Sequence, residues 1–210
     1  MNRVAKVFFW GVFFAFSAAC GGNALAAGPE EAVIMVQKGV DSRDLDMVEK
    51  YLDLDAVLKK AVEVAVADES VIKEAGKYPA AALVLALGSA SGANDAVRDL
   101  LAAETREYIR HGVVSGAFAG APKEDVSVYK GIFGGKAFRG GEKDKKTFGP
   151  VSVKQKGDSS ARLATSLADA KNGKTYPLDL IVQKQQGIWR IVEIGNAPEL
   201  VHQTVQKRKK

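Results

Sequence analysis

Apolar residues recur at three- and four-residue steps through the first half of the chain and at two-residue steps through the second, and this change of period limits the chain to a helical layer followed by a sheet. Val33, Val36, Gln37 and Val40 supply the inward spacing of a helix over 29–40, with Pro29 in its first turn and Glu30 and Glu31 where carboxylates favour a helix start. Gly39 predicts its end, and the cluster Asp41-Ser42-Arg43-Asp44 predicts a cap opening a helix over 45–52. Leu54, Val57, Leu58, Ala61, Val62 and Ala65 trace one face of a third helix over 53–67, capped by Asp53 or Asp55. An apolar run over 80–88 reads as a buried helix, and Asn94 or Asp95 opens a long one to Arg110, with Val97, Leu100, Leu101, Thr105, Tyr108 and Ile109 on one face.

Beyond residue 125 the alternation is that of strands: 126–129, 148–156, 161–168, 175–184 and 188–194. Gly157-Asp158, Asn172-Gly173 and Gln186-Gly187 stand at the joints, so consecutive hairpins form an antiparallel meander. Val151 and Val153 face inward against Lys154 and Lys156, as do Leu178, Leu180 and Val182 against Asp179 and Gln183. One face of such a sheet needs cover, and the upstream helices supply it. The expectation is one α+β domain over 28–206, helical over 29–111 and mainly strand over 126–195, with N-terminal helices packed on a curved antiparallel meander sheet.

The N-terminus has three parts: Arg3 and Lys6, an apolar stretch over 7–19, then small residues through Ala27. This is the pattern of a signal peptide over 1–27, and 13 apolar residues fall short of the ~20 that a membrane-spanning helix needs. Two processing routes are open. Ala24-Leu25-Ala26 offers small residues for cleavage before Ala27, which gives a periplasmic or secreted protein. Ser17-Ala18-Ala19-Cys20 resembles a lipobox with Ser17 where Leu is usual, and it makes Cys20 a candidate lipidation site and the product a membrane-anchored lipoprotein. Cys20 is the sole cysteine, so thiol nucleophiles, thiolate metal sites and disulfides are absent from the mature domain. The formal charge of +5 belongs to the ends: without Arg3, Lys6 and the tail 207–210, 24 basic side chains face 25 acidic ones. Export and a body near neutrality argue against a nucleic-acid partner. The solvated tail offers, at most, peripheral contact with an anionic membrane.

Asp44, the run Tyr51-Leu52-Asp53-Leu54-Asp55-Ala56-Val57 and the last strand Trp189-Arg190-Ile191-Val192-Glu193-Ile194 together resemble exported bacterial members of the nuclear transport factor 2-like superfamily, over Glu30 to Asn196. The resemblance implies a cone in which the sheet wraps a long helix and can enclose a cavity. Enzymes of that superfamily place an Asp with a His or Tyr in the cavity, and no such pair can be matched in this chain. A weaker likeness, through the Tyr-x-Asp helix and the Trp-containing last strand, is to the lipid-shuttle family of the bacterial envelope associated with toluene tolerance.

Few residues invite chemistry. His111 falls where a cation would meet the carbonyls ending its helix, and His202 lies far off in a short helix over 198–206, so no histidine zinc site or triad is expected. Asp41, Asp44, Asp46, Asp53 and Asp55 lack the Gly and Glu positions of a calcium loop and read as caps and solvated faces. Gly131 to Lys136 departs from a phosphate loop at Lys130 and Ala137. The stretch 123–146, with 7 basic and 4 acidic residues among Tyr129, Phe133 and Phe138, reads as a solvated excursion or a partner surface. No catalytic, cofactor or metal residues are expected. Tyr51, Tyr108, Tyr176 and Trp189 are candidates to line a cavity. The functional expectation is a non-enzymatic binding or interaction protein of the envelope, contacting an envelope protein. Its rival is a periplasmic carrier of a lipid or other apolar small molecule. A small lyase or isomerase would need an enclosed carboxylate such as Asp179 or Glu193.

Overall fold

The computed structural model describes residues 28–67, 94–121, 145–170 and 173–200. Among these residues four helices, α1 (Glu31–Ser42), α2 (Leu45–Tyr51), α3 (Leu54–Ala67) and α4 (Asn94–Val114), precede five strands, β1 (Lys146–Phe148), β2 (Ser152–Lys156), β3 (Ser160–Asp169), β4 (Lys174–Gln185) and β5 (Ile188–Ile194). The strands form one curled antiparallel sheet in the order β1-β3-β4-β5, with β2 also paired to β3, and the architecture is α+β. The expected helix over 80–88, the strand over 126–129 and the tail lie outside the described residues. A helical turn occupies 197–200, and the rest of the expected terminal helix, with His202, also falls outside them.

Each helix start and stop has a local cause. Asp44 accepts a hydrogen bond from the Met47 amide at 2.9 Å and Asp53 one from Ala56 at 3.1 Å, so Asp53, not Asp55, caps α3. Gly39 does not end α1, as the sequence had suggested. The helix continues to Ser42 and closes at Arg43, whose φ of 62° lets its amide and that of Asp44 return to Val40 and Gly39. Gly39 instead permits close approach, because a Cβ there would sit 2.8 Å from the Val48 side chain. Removing either capping carboxylate, as in Asp44→Ala or Asp53→Ala, is expected to cost about 1 kcal/mol, read as a shift in the urea midpoint with unchanged slope.

The inward faces meet in one cluster. Val33, Val36 and Val40 of α1, Val48 and Tyr51 of α2, Leu54, Val57 and Leu58 of α3, and Tyr108, Ile109 and Val113 of α4 pack with Leu163 and Leu167 of β3, Leu178, Leu180 and Val182 of β4, and Trp189, Ile191 and Ile194 of β5. Leu100, expected on the inward face of α4, is exposed. β1 and β2 are one edge strand interrupted at Gly149-Pro150-Val151, where proline's missing donor is tolerated. Every residue of β2 is exposed, including Val153, because this strand runs past the helical cover; the expected inward face there is limited to a half-buried Val151. The opposite edge is covered: the α2–α3 link lies parallel to β5, bridging Leu52 to Ile191, and the Asp53 amide donates to the Ile191 carbonyl at 2.9 Å.

Candidate functional site

The four aromatics proposed from sequence are all brought to the interior. Tyr51, Tyr108, Tyr176 and Trp189 are each 4–8% exposed and belong to the single apolar cluster, so they stand in the same body of packing. Tyr51 also borders a shallow seam of ≈ 300 Å³ between α1 and α2, with Lys50 5.4 Å from its ring centroid. Cys20 lies outside the described residues.

Neither carboxylate offered as an enclosed acid is enclosed. Asp179 projects from the solvent face of β4, where both its oxygens accept from the Arg162 guanidinium; its amide donates to the Asn196 side-chain oxygen at 2.9 Å. Glu193 is turned out by a bulge. Ile181 pairs with Glu193 but Val182 pairs with Ile191, which leaves Val192 as an extra residue in β5. Trp189 and Ile191 therefore face in, the next inward residue is Ile194, and Glu193 reaches the surface between them.

That surface is a polar concavity, an open groove of ≈ 340 Å³ between α3 and the end of the sheet. Lys59, Lys60 and Glu63 come from α3, and Asp53 from the link before it. Gln183 and Gln185 of β4 and Val192 and Glu193 of β5 form the facing wall. The nearby Arg190 braces the groove: its guanidinium donates to the Gln185 oxygen at 2.8 Å and to the Glu49 carbonyl at 3.0 Å, and lies 3.7 Å from Asp53. Lys60 and Glu63 form a loose pair at 3.6 Å. Lys59 and Glu193 have no ion-pair partner among the described residues. No signal in the sequence marked this groove, because its shape depends on the bulge and on the Leu52 bridge.

The remaining polar candidates are structural. Asp55 pairs with Arg106 of α4, and no group of three or more His, Cys, Asp or Glu side chains is placed to hold a metal among the described residues. His111 sits in the last turn of α4, as the spacing implied. Burial pushes its imidazole below the usual histidine pKa, so at neutral pH it is uncharged and contributes no cation to the helix end.

Asp41 is shifted the other way. Its side chain reaches solvent, yet the atoms packed around it desolvate the carboxylate enough to raise its pKa, against the opposing pull of Gln37 and Lys145. The folded chain therefore holds this proton more tightly than the unfolded one. The Asp41 contribution favours folding below the ordinary carboxylate range and is lost as pH rises through the raised value. Asp41→Asn is expected to stabilise the protein at neutral pH and to leave it unchanged in strong acid, a difference read from denaturant midpoints across pH; removing a negative charge from the last turn of α1 acts in the same direction.

Among the described residues, no helix is long and apolar enough to cross a membrane. Comparison of the chain with protein-family models, curated proteins and solved structures finds no match.

Proposed function

We propose that this chain is an exported, non-catalytic binding module of the bacterial envelope, built as a nuclear transport factor 2-like cone, with the groove between α3 and β5 as its contact surface. The observation that carries the reading is that groove, where an unpaired ammonium at Lys59 and an unpaired carboxylate at Glu193 stand on facing walls. The outward placement of Asp179 and Glu193 supports binding over acid–base chemistry by either of them.

A carrier of an apolar molecule draws support from one feature. Gln37 is 1% exposed within the apolar face of α1; its side chain reaches toward Asp41 one turn on, but neither its nitrogen nor its oxygen attains hydrogen-bond geometry with any described residue. A lone polar handle in an apolar interior is a usual element of an enclosed ligand site. If no ligand answers it, the buried amide is only a cost, so on the binding-module reading Gln37→Met is expected to stabilise the protein by about 1–2 kcal/mol in thermal unfolding. Native purification from the envelope followed by mass spectrometry tests both readings. The expected result is a chain beginning at Ala27 with no co-purifying lipid. Retained lipid would overturn the binding-module reading in favour of the carrier, and a lipidated Cys20 at the new N-terminus would replace soluble export by anchoring.

A further inference from the structure

The charges around the groove are not equivalent. Asp53 is committed twice, capping α3 through Ala56 and facing Arg190 at 3.7 Å. Arg190 is in turn committed to Gln185 and the Glu49 carbonyl. Lys60 and Glu63 already face each other at 3.6 Å along one face of α3. What remains is one cation, Lys59, and one anion, Glu193, on opposite walls. A ligand carrying a single charge would leave one of the two unanswered, and a ligand with neither would desolvate both without return. A molecule with a cationic donor such as an ammonium at one end and an anionic acceptor such as a carboxylate at the other meets both with charge-assisted hydrogen bonds.

The rest of the lining narrows the class. Gln183 supplies an amide with both donors and an acceptor, suited to a peptide group between the two charged ends. Ala56 and Val192 are small apolar contacts, and among the described residues no aromatic ring lines the groove to offer a stacking platform for a nucleobase or sugar. A volume of ≈ 340 Å³ is near the lower end of the ~300–1,000 Å³ typical of small-molecule sites. We propose that the groove binds a small zwitterion, an amino acid or short peptide with free termini, with the ligand ammonium at Glu193 and its carboxylate at Lys59. The inference rests on the reading of this groove as the contact surface and specifies the ligand.

The test is a titration of the natively purified, isotope-labelled protein with dialanine, followed by backbone amide chemical shifts and taken to about 10 mM because an open groove holds small ligands weakly. N-acetyl-dialanine and dialanine amide, each lacking one charge, are the comparison probes. Dialanine is expected to shift the amides of Gln183, Val192 and Glu193, with each blocked probe binding at least tenfold more weakly. Glu193→Gln should abolish the preference for dialanine over the acetylated form, and Lys59→Gln the preference over the amide. Both side chains reach solvent, so neither substitution threatens the core. Equal binding of the three probes, or no shift at the groove, overturns the proposal. If dialanine is silent while the purified protein carries no lipid, the ligand class alone fails. If dialanine is silent and lipid is retained, the binding-module reading fails with it.

Discussion

Trp189→Ala is expected to lower the unfolding free energy by about 3–5 kcal/mol, a large share of the ~5–15 kcal/mol that holds a typical domain together. The indole is 4% exposed on the inward face of β5, in the cluster shared by α1, α2, α3 and the sheet, so truncation removes transfer energy and leaves a hole on several sides. At ~2–4 °C per kcal/mol for a chain of this size, the melting temperature should fall by about 6–20 °C. The magnitude also separates the two functional readings. A Trp packed on all sides gives the full loss. A Trp bordering an empty lipid chamber already lacks partners on one side, and its removal would cost no more than about 1–2 kcal/mol. A small loss would therefore count against the binding-module reading and for the carrier.

Gly112→Ala sets two effects against each other. In an ordinary helix interior the change is worth about 1 kcal/mol of stabilisation through backbone entropy. Here the chain folds back after α4, the Phe118 amide donates to the Gly112 carbonyl at 3.2 Å, and a Cβ on residue 112 would run into the Phe118 ring. That ring is packed against Tyr108 at a centroid distance of 5.8 Å and is buried, so it has little freedom to withdraw. Overpacking costs of about 1–3 kcal/mol or more apply, and the clash is severe enough to put Gly112→Ala at the upper end. The expected net result is a loss of about 2 kcal/mol in urea unfolding. Adding Phe118→Leu should cost less in the Gly112→Ala background than in the parent chain, because the two side chains compete for the same space. Equal costs in both backgrounds would show that the ring does not limit residue 112.

Much of the fold was legible because its signals are local. The alternation of Leu178, Leu180 and Val182 and the pair Gln186-Gly187, both with positive φ, leave little freedom for β4, β5 and the turn between them. The spacing of Val33, Val36, Gln37 and Val40 likewise marks the buried face of α1, although Gly39 misled about its end because a close approach to Val48 looks like a breaker in one dimension. The groove was not legible. Strict alternation from Trp189 places Glu193 on the inward face of the sheet; one unpaired residue, Val192, reverses it, and nothing in Trp-Arg-Ile-Val-Glu-Ile marks where a bulge will fall. Val153 was misplaced for a different reason, since alternation reports which face a residue takes and not whether anything covers that face.

Arg190 donates to the carbonyl of Glu49 across 141 residues of sequence, beside the bridge from Leu52 to Ile191. During synthesis at ~5–20 residues per second, the α2–α3 link waits on the order of ten seconds for the strand that completes it. Over that interval the apolar faces of α1, α2 and α3 have no sheet to cover them. The nascent chain therefore cannot close its core until β5 has been made, a delay that leaves those faces open to capture by chaperones.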